Sequence, residues 1–110
     1  MGRVISDKLK AQIPSEFCYY CGRKVNYKNK SFDHIIPVDK GGETSLKNIV
    51  CSCIDCNQLK GNMTIFELLK QLDCQKSFCD DEVRMARLEY HHKIFSLARD
   101  RLSERNTYPA

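Results

Sequence analysis

No run in this sequence is apolar for anything near the ~20 residues needed to span a bilayer, so no membrane helix is expected. The opening MGRVISDKLK lacks an apolar h-region, and a signal peptide is not expected either. Internal repeats, low-complexity tracts and linkers of shifted composition are all missing, which leaves a single domain for 110 residues. There is no His-Glu-x-x-His, so His91 and His92 lack a second metal motif. His91 is read onto the apolar stripe of a helix and His92 onto solvent. A strong charge excess is also missing: 18 Lys and Arg against 14 Asp and Glu leave +4, weak support by itself for a polyanionic partner. The expectation is a soluble, cytoplasmic chain.

What is abundant is cysteine. Seven in so short a chain point to staples, either disulfides or a structural metal. In a reducing compartment, paired cysteines more often hold metal than each other. Cys18-Tyr19-Tyr20-Cys21-Gly22 and Cys53-Ile54-Asp55-Cys56 are two Cys-x-x-Cys pairs. A two-residue spacer lets a tight turn aim both thiolates at one ion, and two such turns complete a tetrahedral zinc site. Gly22 suits the first turn, which often needs a positive φ. The zinc is expected to be structural, because four thiolates leave no open position for water or substrate. Cys51 is too close to Cys53 for the usual turn and is read as a small buried hydrophobe. Cys74 and Cys79 are assigned to the core or its boundary. One Cys-x-x-Cys alone would also suit a thiol redox switch.

The chain reads as a short helix over residues 4–13, ended by Pro14. A turn-rich segment covers residues 17–30. A strand follows from Phe32 to Val38, then a polar loop over residues 39–48 with Gly41-Gly42, then a second strand at Ile49-Val50-Cys51. Asp55 to Lys60 is a short helix. Thr64-x-x-Glu67 is a capping box that opens a helix to about Leu72. Ser77 to Asp80 caps a longer helix, about Asp81 to Arg105, with Leu88, His91, Phe95, Ala98 and Leu102 as its stripe and Ile94 alongside. The tail from Asn106 to Ala110 is expected to fray.

In order, the chain presents Cys18-x-x-Cys21, Asp33-His34-Ile35-Ile36-Pro37, Gly41-Gly42, Asn48-Ile49-Val50 and Cys53-x-x-Cys56-Asn57-x-x-Lys60-Gly61. Over roughly residues 5–70 that series resembles the HNH nuclease family in its zinc-stapled form. The resemblance implies an α+β fold with a ββα-metal core: a hairpin and a helix stapled by four cysteines, with flanking helices outside it. It implies that His34 is the general base that activates water. Asp33 and Asn57 would bind one divalent cation, Mg²⁺ or Mn²⁺, and Asn48 would pin the loop between the strands. The departure is Asn57, which stands where the motif's last His would be. A neutral amide oxygen is a harder ligand than imidazole and favours oxygen-preferring ions.

These residue types suit phosphodiester hydrolysis, which needs a deprotonated water and a cation for charge developing on the leaving oxygen. If adjacent strand residues point to opposite sides, Asp33 and His34 would flank a scissile phosphate. The expected partner is DNA, held mainly through its phosphates by Arg23, Lys24, Lys28 and Lys30 with Lys40 and Lys60. RNA is left open as a substrate. The C-terminal helix would either form a homodimer interface or pack on the zinc core. The competing class is a non-catalytic zinc-knuckle module that binds DNA or protein, which has no need for Asp33, His34, Asn48 and Asn57 together.

Overall fold

The structure is a computed structural model and describes residues 4–102. In chain order its elements are Asp7–Lys10 (α1), Lys30–His34 (β1), a 3₁₀ turn at Val38–Lys40, Ile49–Cys53 (β2), Ile54–Lys60 (α2), Ile65–Ser77 (α3) and Glu82–Arg101 (α4). The strands pair antiparallel, with Lys30 opposite Cys53 and His34 opposite Ile49. β2 is buried along its whole length, which is why it reads as an unbroken small and apolar run without polar alternation. It passes directly into α2, giving a strand–loop–strand–helix core in an α+β fold.

The first strand lies earlier than expected. Residues 30 and 31 pair with Cys53 and Ser52, and the strand stops at His34 instead of continuing to Val38. The stop is made by a side chain. Ile35 N still donates to the Asn48 carbonyl, but Ile36 is captured by the Asn48 amide, whose Oδ1 accepts from Ile36 N at 2.9 Å. Asn48 Nδ2 donates back to Ile36 O at 3.0 Å and to Glu43 O at 2.7 Å. Pro37 then has no N–H with which to extend a ladder. Gly42 lies so close to this clasp that a Cβ there would sit 1.7 Å from Ile36 O. Asn48 is itself buried, so its amide is a fixed part of the loop.

α1 is one turn, capped by Ser6, whose Oγ accepts from Leu9 N at 3.1 Å. α3 opens on the expected capping box, Thr64 with Glu67. It continues past Leu72 to Ser77 because residues 73–76 include no breaker. Its buried stripe is Ile65, Leu68, Leu69 and Leu72. Cys74 falls off that stripe and is exposed, contrary to its expected core or boundary place, while Cys79 is half-buried at the boundary. Cys51 lies buried in the core.

α4 is capped by Asp81 itself, whose Oδ1 accepts from Val83 N and Arg84 N, and not from within Ser77 to Asp80. Leu88, Ile94, Phe95, Ala98 and Leu102 form its buried side, with His91 half-buried beside them. His92 is half-buried too and meets Asp73 of α3 at 2.9 Å. Phe95 stacks on Tyr20, ring centroids 4.9 Å apart, so α4 packs on the segment of the first cysteine pair. The expected continuation to Arg105 and the tail from Asn106 lie outside the described residues. Among the described residues, no helix is long and apolar enough to cross a membrane.

Replacing Asn48 with Ala would remove the partner of two carbonyls and an N–H in a part-buried loop. At about 1–3 kcal/mol for each unsatisfied buried group, the loss should reach roughly 2–4 kcal/mol. Loss of the Thr64 cap in Thr64→Ala should come to only about 1 kcal/mol. Urea unfolding of the two variants side by side checks the ranking.

Candidate active site and metal centre

The sulfurs of Cys18, Cys21, Cys53 and Cys56 lie within 4.8 Å of one another. The first pair is set by a tight turn in which Cys18 N donates to Arg23 O, Gly22 N donates to Cys18 O, and Gly22 takes φ 79°. The second pair spans the β2–α2 junction, one ligand ending the strand and the other in the first helical turn. In each turn the first sulfur accepts from the backbone N–H of the second cysteine, at 3.4 Å. An ion with Zn–S bonds of ~2.3 Å needs sulfurs about 3.8 Å apart. Cys21 and Cys53 stand at 3.9 Å, so the donor set suits a tetrahedral metal such as zinc. All seven cysteines are free thiols. A hydrogen bond from Cys56 holds Cys18 down to about 4, against burial, and the same bond pushes Cys56 up.

Arg23 belongs to this centre. Its guanidinium lies 3.9 Å from Cys53 Sγ and 3.2 Å from Asp55 Oδ2. Hydrogen bonds to Cys21 and Cys53, then Asp55, raise its pKa above the ordinary arginine value. A cation beside sulfurs that become thiolates offsets their charge, and a phosphate would have to compete with three partners for it.

At the end of β1, Asp33 is buried, and its Oδ2 meets two partners. Tyr20 OH donates to that oxygen at 2.5 Å, and Lys60 Nζ stands 3.1 Å from it. Lys60 also donates to His34 O at 2.9 Å. It is 0% exposed, which corrects its expected place on a phosphate path: its ammonium is committed to the protein interior. Burial pushes the Asp33 carboxyl up, against the pull of Lys60 and Tyr20, and burial likewise lowers Lys60. His34 is half-buried, with Nε2 2.9 Å from Thr44 Oγ1 in the loop that Asn48 clasps. The side chains of Asp33 and His34 take different partners, Tyr20 and Lys60 for the carboxylate and Thr44 for the imidazole. Both residues border one cleft of about 150 Å³ with Phe32, Pro37, Val38, Gly61 and Asn62.

Asn57 reaches the same strand from α2, its Nδ2 donating to Ser31 Oγ at 2.5 Å. Ser31 and Asp33 are two apart on β1 and share a face. An amide oxygen and a carboxylate oxygen, Asn57 Oδ1 and Asp33 Oδ1, therefore belong to one side of the hairpin, and hard oxygen donors fit a cation such as Mg²⁺. Asn57 and Lys60 are three apart on α2, so one helix face carries both. That spacing was available in the sequence as a sign that Lys60 turns inward. Tyr20 and Thr44 had no such sign, one being a spacer between cysteines and the other a loop residue.

The remaining basic residues divide. Lys40 is tied to Glu67 at 2.5 Å and to Asn62 O at 2.8 Å, and that contact lowers the Glu67 pKa. Lys30 reaches Ser15 Oγ at 3.3 Å. Lys24 and Lys28 are exposed, Lys28 lying 5.9 Å from the Tyr27 ring.

Two tests follow from these contacts. In Lys60→Met a buried carboxylate loses its cation, which should cost about 3–5 kcal/mol in chemical unfolding, with part recovered in Lys60→Met/Asp33→Asn. Metal analysis should find one tightly held zinc per chain, and a strong chelator should unfold the protein; a metal-free chain with unchanged stability would contradict the assignment of the four sulfurs.

A 46-residue stretch, 41% of the chain, is 41% identical to the CRISPR-associated endonuclease Cas9 of Corynebacterium diphtheriae, of which it covers 4%. A crystal structure of the Type II-C Cas9 enzyme from Actinomyces naeslundii aligns with 83% of the chain at 20% identity and a TM-score of 0.39, covering 10% of that protein. The chain thus spans only a small part of either relative. The sequence model described as HNH endonuclease matches residues 18–73, just over half the chain and the whole span from the first cysteine pair into α3. The chain belongs to the HNH endonuclease family.

Proposed function

We propose that this chain is a DNA endonuclease that hydrolyses phosphodiester bonds with one divalent cation. The observation that carries the reading is that Asp33 and His34, adjacent at the end of β1, both border one cleft, with Asn57 reaching Ser31 of the same strand. His34 takes a proton from a water, whose oxygen attacks phosphorus; the bond to the leaving oxygen breaks, and that oxygen is protonated. Thr44 steadies the imidazole, and Asn48 holds the loop that carries Thr44. Asp33 and Asn57 would hold Mg²⁺ or Mn²⁺, which supplies positive charge to the leaving oxygen. Zinc at the four cysteines is structural in this reading. α4 packs on α3 and sets Phe95 against Tyr20 of the knuckle, so the reading does not require a homodimer.

One observation favours the alternative, a zinc module that binds DNA without cutting it. Lys60 already supplies a cation to Asp33. A plasmid assay separates the two readings. Nicking or cutting should require Mg²⁺ or Mn²⁺, and His34→Ala should lower the rate by about 10²–10⁴-fold with DNA binding retained. Binding without cleavage in either metal supports the module.

A further inference from the structure

Next to β1 lies a second cleft of about 550 Å³, lined by Ile5, Lys10, Tyr27, Lys30, Ser31 and Phe32. None of its lining residues is acidic. Phe32 also lines the cleft of Asp33 and His34, so the two clefts share a bordering residue. At the outer end stands Tyr27, 85% exposed. Its exposure is not that of a loose loop. Asn26 Oδ1 accepts from Lys28 N at 2.9 Å and Asn29 N at 3.3 Å, and Asn29 Oδ1 accepts from Asn26 N at 2.7 Å. Asn29 O in turn accepts from Ile54 N at the start of α2. A doubly clasped turn, anchored to the metal-binding junction, therefore presents a phenol ring to solvent between basic side chains.

We propose that this cleft is the approach path of a single DNA strand, with one base stacked on Tyr27 and phosphates met by Lys10, Lys28 and Lys30. The proposal rests on the nuclease reading for its direction, from Tyr27 toward His34. Sequence-tolerant strand binding combines a positive groove with aromatic faces, and this cleft supplies both. Lys10 stands 5.6 Å from the Phe32 ring centroid, which places a cation at the junction of the two clefts. From Lys30 to His34 the strand advances about 13 Å, room for roughly four nucleotides at the ~3.4 Å spacing of a stacked strand. Stacking needs an unpaired base, so a single strand is preferred to a duplex. α1, outside the ββα core, acquires a role: it brings Lys10 to the groove.

The test is fluorescence-anisotropy titration of a labelled oligothymidylate into the zinc-loaded chain without Mg²⁺ or Mn²⁺, so that binding is read apart from cleavage. Tyr27→Ala should weaken binding by about 5- to 100-fold while leaving its salt dependence alone. Lys10→Ala should weaken it and lower the slope of log affinity against log salt by about 0.7. Lys93→Ala, on the exposed side of α4, should bind as the parent does. A duplex of matching length should bind more weakly and respond less to Tyr27→Ala. Unchanged oligothymidylate affinity in Tyr27→Ala, or equal losses in Tyr27→Ala and Lys93→Ala, would overturn the proposal. If plasmid cleavage fails while these affinities behave as stated, the nuclease reading falls and the strand site stands.

Discussion

The four sulfurs bring together two parts of the chain that are far apart in sequence. A two-stranded hairpin is marginal in water by itself, and the segment before it is a series of turns. Joining Cys18 and Cys21 to Cys53 and Cys56 fixes that segment against the β2–α2 junction. Everything at the candidate site hangs from one side of the join or the other. Tyr20 comes from between the first two ligands, and Asn57 and Lys60 come from the helix that the second pair begins. A metal held by the four sulfurs would help set the distance between β1 and the residues that face it.

Inside that frame the polar interior is unusual for a small domain. Asp33 and Lys60 are buried together, an arrangement that stabilises poorly because both charges leave water. An apolar pair would fill the space at less cost. What the ion pair accomplishes is orientation. Lys60 binds the Asp33 carboxylate and the His34 carbonyl at once, while Tyr20 takes the same carboxylate oxygen from the other side. Rotation of the carboxylate is restricted by these two contacts. Asn48 acts in the same way on the loop, replacing a missing length of strand with one amide.

Much of this was legible in the residues. The cysteine spacing implied the tetrahedral cluster, and Asp33-His34, Asn48 and Asn57 were identifiable in register. The capping box of α3 and the apolar stripe of α4 were readable from spacing alone. The errors cluster where a side chain overrides a local tendency. Ile35-Ile36 has strand propensity, yet Asn48 ends the strand before it. Lys60 has the look of a surface residue, yet its position three after Asn57 sends it into the interior. Arg23 and Lys40 looked like free cations and are held by Asp55 with the sulfurs and by Glu67.

By itself, then, the sequence determined which chemical groups are present and which of them share a turn, a strand or a helix face, because those relations depend only on short-range geometry. It could not decide what each charge would meet. Tyr20 and Asp33 are 13 residues apart, Asp33 and Lys60 are 27 apart, and Arg23 and Asp55 are 32 apart. Such meetings are settled by how the knuckles, hairpin and helices close on one another. Tertiary structure alone divided the basic residues into two kinds: Arg23, Lys40 and Lys60, bound to acids, and Lys10 and Lys30, which line the cleft of Tyr27, with Lys28 beside that ring.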